Sequence, residues 1–120
     1  MRMTKSSTLY NPGSVVMVRI RFTAGDKTKR RPAVILTGDD YHASRADAIV
    51  VALSAQLANS YYGDYVLSDW RAAGLPEPSK AKGIIQTIDR TTIERTFGTL
   101  SPRDFRNLKE GIRSMLGLDI

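Results

Sequence analysis

Two places in this 120-residue chain set a polar side chain at the rim of an apolar strand, and both carry groups that can act on a phosphate. The first is Lys29-Arg30-Arg31-Pro32-Ala33-Val34-Ile35-Leu36, where a basic loop runs into an apolar strand. Pro32 fixes the backbone beside Arg31, so the strand holds that guanidinium while it still reaches solvent. A planar, permanently charged guanidinium matches two oxygens of one phosphate. In phosphodiester cleavage it stabilises the charge that builds on them. Because it keeps its proton, it serves poorly as a base. The alternative for Arg31 is an ion pair with an acid beside the strand. The second place is Ser54-Ala55-Gln56, directly after the apolar Ile49-Val50-Val51-Ala52-Leu53. A hydroxyl fixed there can donate to a phosphate oxygen or orient an attacking group, and Gln56 offers an amide to a base edge or a phosphate. Otherwise the hydroxyl simply ends the strand by bonding nearby backbone.

Charge points the same way. Residues 1–31 hold eight Lys and Arg against one acid, whereas residues 32–120 hold ten against eleven, out of a net charge of +6. Lys27, Lys29, Arg30 and Arg31 crowd the loop before the second strand, with Gly25 allowing close approach, and Arg19 lies on the first strand. Such a patch either grips a polyanion, RNA or DNA or an acidic protein, or is a solvated face. With no cysteine and one histidine, His42, disulfides, thiol nucleophiles and the common zinc sites fall away. No metal or cofactor is expected. His42 reads as a surface histidine, because no hydroxyl or thiol partner stands at a recognisable spacing. Trp70, Tyr61 and Tyr62 could stack on bases, but a small domain has more need of them in its core or an interface.

The elements that must position these groups can be read from periodicity and punctuation. Residues 1–10 read as a flexible tail and 11–120 as one domain. Val16, Val18, Ile20 and Phe22 alternate with Arg19 and Arg21, which predicts a strand over 14–22. A loop is predicted over 23–30, a strand over 31–37, a loop over 38–46 and a strand buried on both faces over 47–54. A fourth strand is expected over 61–67, then a short helix capped by Ser68 and stopped by Gly74. Strands over 80–88 and 95–99 follow, with Asp89 capping a short helical turn between them. The last helix is the clearest, with Ser101 as cap, Pro102 in its first turn, an apolar stripe of Phe105, Leu108, Ile112, Met115 and Leu116, and Gly117 as stop. Five or six short strands and one amphipathic helix predict a mainly β (α+β) domain, a small barrel with a helix packed on it. The longest apolar run, 48–53, is too short to cross a bilayer, and residues 1–8 lack the apolar stretch of a secretory signal. A cytoplasmic protein is expected.

Taken in order, these segments resemble the MazF/PemK family of toxin endoribonucleases. The pieces are Gly13–Arg19, Lys29–Leu36, Val50–Gln56, Trp70–Ser79, Gln86–Arg90, Phe97–Ser101 and the closing helix, with the wording around Trp70 and Pro78 most like the PemK branch. No single piece is diagnostic; the ordered set is specific. The resemblance implies an SH3-like barrel with a C-terminal helix, acting as a homodimer. It implies metal-independent cleavage of single-stranded RNA by attack of a 2′-hydroxyl on the adjacent phosphate, and neutralisation by a small acidic antitoxin protein. Its catalytic arginine precedes the proline of an Arg-Pro pair, here Arg31. Its partner hydroxyl is a threonine, replaced here by Ser54, and its glutamine matches Gln56. Lys27, Lys29, Arg30, Gln56, Arg19 and Lys82 are the residues expected on RNA.

Three departures stand out. Ser54 lacks the β-branched stiffness of threonine. Gly13-Ser14 replaces the usual Gly-Asp. The stretch 79–89 is about one residue short and carries Lys80 and Lys82, which either add to RNA binding or are solvated. The general base is left unassigned. The rival readings are a CcdB-like protein that poisons gyrase by binding it, and a silent RNA-binding regulator.

Overall fold

The computed structural model describes residues 10–22 and 27–118. Gly25 and almost all of the expected tail lie outside these residues. Tyr10, the tail's last residue, packs on the core. The elements are β1 (Ser14–Arg21), β2 (Thr28–Ile35), α1 (Asp39–Ser44), β3 (Asp47–Ser54), β4 (Tyr65–Val66), β5 (Lys80–Asp89), a 3₁₀ turn (Arg90–Thr92), β6 (Arg95–Thr99) and α2 (Pro102–Met115). The strands form one six-stranded sheet in the order β4-β5-β3-β2-β1-β6, antiparallel at every pairing. It is curled into the partly open barrel that the strand pattern predicts. Among the described residues no helix is long and apolar enough to cross a membrane.

Alternation sorts the side chains onto two faces. Val15, Val34, Val51 and Leu53 meet Leu108 of α2 on one face, with Phe105 and Ile112 packed against them. Val16, Val18, Ile20, Ala33, Ile35, Val50 and Ala52 fill the other face, with Phe22, Ile84 and Ile88 at its margin. β3 contributes to both, which is why it reads as a continuous apolar run. Each fully buried Val or Ile side chain supplies about 1.5–3 kcal/mol relative to exposure. These two clusters hold the sheet ends where the polar groups sit.

Several expectations change. The basic stretch 28–30 is strand rather than loop, because Thr28, Lys29 and Arg30 pair with Arg21, Ile20 and Arg19 of β1. The segment 38–46 contains the short helix α1. His42 is buried on it, not exposed; its Nε2 lies 2.7 Å from Thr37 Oγ1, and its Nδ1 has no partner. β4 is only two residues long, since 61–64 turn back through the Asp64 N–H to Tyr61 C=O bond. The segment after Ser68 forms hydrogen-bonded turns rather than a helix, ending at Gly74 with φ +84°. Tyr61 and Tyr62 are exposed, while Trp70 is partly buried beside the α2-facing core. The sixth strand, the Asp89 cap on Thr91 and the Ser101 cap on Asp104 are as expected.

Two features fix the segment 68–79 against this frame. Asp104, fully buried in the first turn of α2, accepts hydrogen bonds from Tyr65 Oη (2.7 Å), Ser68 N (2.9 Å) and Asp69 N (2.7 Å). Further on, the backbone at Ala73-Gly74 lies against that at Phe97-Gly98 of β6. A Cβ on Gly74 would fall 2.3 Å from Phe97 O, and one on Gly98 would fall 2.6 Å from Ala73 O. Only glycine allows that approach.

Candidate active site

Register explains how Arg31 and Ser54 come together. β2 and β3 pair as Ile35–Val50, Val34–Val51 and Ala33–Ala52. Continued beyond the ladder, that register directs Arg31 and Ser54 to the same end of the strand pair, and both line the same clefts. Side chains directly opposite on antiparallel strands share a face. The ladder stops at Ala33 because Pro32 has no N–H to donate, and past that point the strands part. The gap is a cleft of about 230 Å³ lined by Arg31, Ser54, Gln56, Leu75, Glu77 and Ser79, with Arg30 and Pro32 at its side. An adjoining cleft of about 130 Å³ is lined by Phe22, Lys29, Arg31, Ser54, Gln56 and Lys82. Arg31, Ser54 and Gln56 belong to both clefts.

Ser54 Oγ accepts the Gln56 backbone N–H at 3.0 Å. This bond is the strand-ending one expected of such a hydroxyl, and it leaves the hydroxyl's own hydrogen to donate elsewhere. That local bond supplies the positioning that a β-branched side chain would otherwise give. Arg31 Nη1 donates to Arg30 O at 3.0 Å. Among the described residues Arg31 makes no ion pair with a carboxylate, so the ion-pair alternative does not hold there.

The remaining cations divide. Lys29 and Lys82 line the smaller cleft, and Lys29 Nζ stands 5.8 Å from the centroid of Phe22. Arg30 lines the larger cleft but is bound to Glu94, through Nε at 2.8 Å and Nη2 at 2.7 Å. Arg19 pairs with Arg30 across the β1–β2 ladder and lines neither cleft. Lys27 is exposed ahead of β2 and also lines neither. Lys80 neither meets solvent nor reaches a cleft. It is buried, with Nζ 2.8 Å from Asp64 and also bonded to Asn59 O. Burial would raise the Asp64 carboxyl, but the Lys80 hydrogen bond and the Tyr61 N–H hold it below its ordinary range. Phe22, Leu75, Glu77 and Ser79 are the lining residues that sequence reasoning did not assign. Phe22 lies far from the others in sequence, and the only signal for Leu75, Glu77 and Ser79 was that they fall within the Trp70–Ser79 piece of the resemblance.

Residues 11–116 match the family model described as PemK-like, MazF-like toxin of type II toxin–antitoxin system. The chain belongs to that family. Solved structures with the same fold as this PemK/MazF-like chain include an endoribonuclease in complex with its cognate antitoxin from a mycobacterial species. That structure has 16% identity and a TM-score of 0.69, covering 92% of this chain and 97% of its own. The Mycobacterium tuberculosis toxin MazF-mt6 has 21% identity and a TM-score of 0.68, with coverage of 88% and 99%. A MazE–MazF complex from Deinococcus radiodurans has 18% identity and a TM-score of 0.69, with coverage of 89% and 95%. No curated protein matches the chain by sequence. In this PemK/MazF-like toxin, Arg31 and Ser54, which the sequence resemblance matches to the family's arginine–hydroxyl pair, both line the two clefts.

Proposed function

We propose that this toxin is a metal-independent endoribonuclease that cuts single-stranded RNA. The observation that carries the reading is that Arg31 and Ser54 both line the two adjoining clefts, just past the point where the β2–β3 ladder ends. The scissile phosphate sits at that junction. The 2′-hydroxyl of the preceding nucleotide attacks phosphorus, and the P–O5′ bond breaks. The products are a 2′,3′-cyclic phosphate and a 5′-hydroxyl; the proton leaving O2′ is balanced by one gained at O5′. Arg31 stabilises the charge on the equatorial oxygens, and the Ser54 hydroxyl donates to one of them. Lys29 and Lys82 hold neighbouring phosphates. The toxin acts as a homodimer in the cytoplasm and is neutralised by a small acidic antitoxin protein that competes for the basic clefts.

The test is incubation with a long single-stranded RNA in EDTA beside Arg31→Ala and Ser54→Ala. Loss of one preorganised donor to a developing charge lowers kcat by roughly 10²–10³-fold. Intact RNA with the wild type, or equal cutting by all three proteins, sinks the assignment.

A further inference from the structure

The larger cleft contains a group that a phosphate site should not have. Glu77 lines it beside Arg30 and Arg31. The ion pairs among the described residues use Glu94, Asp47, Asp64 and Asp69 as their acids, so among those residues Glu77 forms no ion pair. A carboxylate repels phosphate, so this end of the cleft does not receive the backbone. Among the described residues the smaller cleft is lined by no carboxylate, and it has Lys29 and Lys82. The two clefts therefore divide the labour, with backbone on the lysine side and something neutral, flat and donor-bearing on the Glu77 side.

The rest of the wall fits a base. Leu53, Leu75, Pro32 and Pro76 give it apolar surface. The loop is held still: Leu75 is buried, Pro76 and Pro78 flank Glu77, and Ser79 Oγ donates to Glu77 O at 2.9 Å. Single-stranded RNA is read in this way, by apolar contact with the base face and hydrogen bonds to its edge. An ionised carboxylate only accepts, at two oxygens. Guanine alone presents two adjacent donors on its Watson–Crick edge, N1–H and the 2-amino group. Adenine and cytosine each set one amino group beside a ring nitrogen acceptor, and uracil flanks its single N–H with two carbonyls.

We infer that the Glu77 cleft is a base-reading subsite that selects guanine next to the scissile phosphate. This rests on the nuclease reading for the position of the phosphate, but binding tests it separately from cleavage. Single-stranded heptamers of 2′-deoxynucleotides lack the attacking hydroxyl and cannot be cut by this route. With guanine at one fixed position they should bind wild type about five- to a hundredfold more tightly than with adenine, cytosine or uracil there, the worth of one good bidentate base contact. Inosine, which keeps N1–H but lacks the 2-amino group, should lose part of that gain. Glu77→Gln, on an exposed loop, should bring guanine and inosine level. The same fixed guanine should appear at wild-type cleavage ends in a mixed RNA, and the preference should fade in the variant. Binding with no fixed guanine, or a guanine-to-inosine ratio unchanged in Glu77→Gln, overturns the inference. A guanine preference in binding with no cleavage of any RNA supports the subsite and refutes the nuclease.

Discussion

Replacing Asp104 with alanine should unfold this protein at a markedly lower temperature, although residue 104 lines neither cleft. Its carboxylate is fully buried and accepts three hydrogen bonds: the Tyr65 hydroxyl, and the main-chain N–H groups of Ser68 and Asp69. Alanine removes the acceptor and leaves two backbone donors without their partner. Each stranded donor costs about 1–3 kcal/mol. Because both N–H groups are only partly buried, water recovers some of that, and about 3 kcal/mol is expected in total. At ~2.1 cal/mol/K per residue over this chain, 1 kcal/mol corresponds to about 4 °C in Tm, so the melting point should fall by about 12 °C. Asp104→Asn should cost less, since its carbonyl oxygen still accepts two bonds while its amide faces a third donor. Tyr65→Phe removes one bond and strands no backbone group, so it should cost about 1 kcal/mol. Urea melts read alongside thermal melts give the three values independently. If Asp104→Ala stays within 1 kcal/mol of wild type, or Tyr65→Phe costs as much as Asp104→Ala, the carboxylate is not the anchor of segment 68–79 and the reasoning fails.

Three further outcomes are expected. The His42 imidazole is held below its ordinary pKa by burial first and by the nearby Arg90 second, with Asp39 opposing them. The unfolded chain therefore takes up a proton below about pH 6.5 that the folded chain resists. Stability should fall from pH 7 toward His42's lowered value and then level off. Denaturant midpoints at pH 7.5 and 5.5 should converge in His42→Phe, and an unchanged pH response would count against this role. Lys80→Met should lose about 3–5 kcal/mol by leaving Asp64 charged and buried, with much of that recovered in Lys80→Met/Asp64→Leu; additive losses in the double variant would refute the pairing. RNA affinity should weaken with salt, and Lys29→Ala and Lys82→Ala should each reduce the log–log slope by about 0.7. Arg19→Ala, on the far face of the hairpin, should leave the slope as it is; fluorescence anisotropy across a salt series measures all three.

Elements with strong local signals were legible in the chain alone. β1 alternates, β3 is a continuous apolar run, and α2 has a cap, a proline in its first turn and an apolar stripe. What was not legible depended on partners. Thr28–Arg30 carries no strand signal and is extended because β1 pairs with it. β4 is cut short by the turn at Asp64, whose carboxylate belongs to Lys80, sixteen residues further on. His42 reads as a surface residue until α1 folds it beneath Thr37. In the site, Arg31 and Ser54 could be matched through the family's wording, and the structure brings both to the same two clefts. Glu77 lies within a piece of that wording but nothing in the wording marks it, and Phe22 lies outside it; the curl of the sheet brings both to its rim.

The contact of Gly74 with Gly98 has a consequence beyond the shape of the cleft wall. β6 is a terminal strand, and a terminal strand with open main-chain groups is a template for a neighbouring molecule to extend. Here the backbone at Ala73-Gly74 already occupies the flank of Phe97-Gly98, at a distance no other residue type permits. That contact lays main chain over the middle of one border strand, and the opposite border, β4, is two residues long. A toxin built this way offers little to indiscriminate strand-on-strand aggregation.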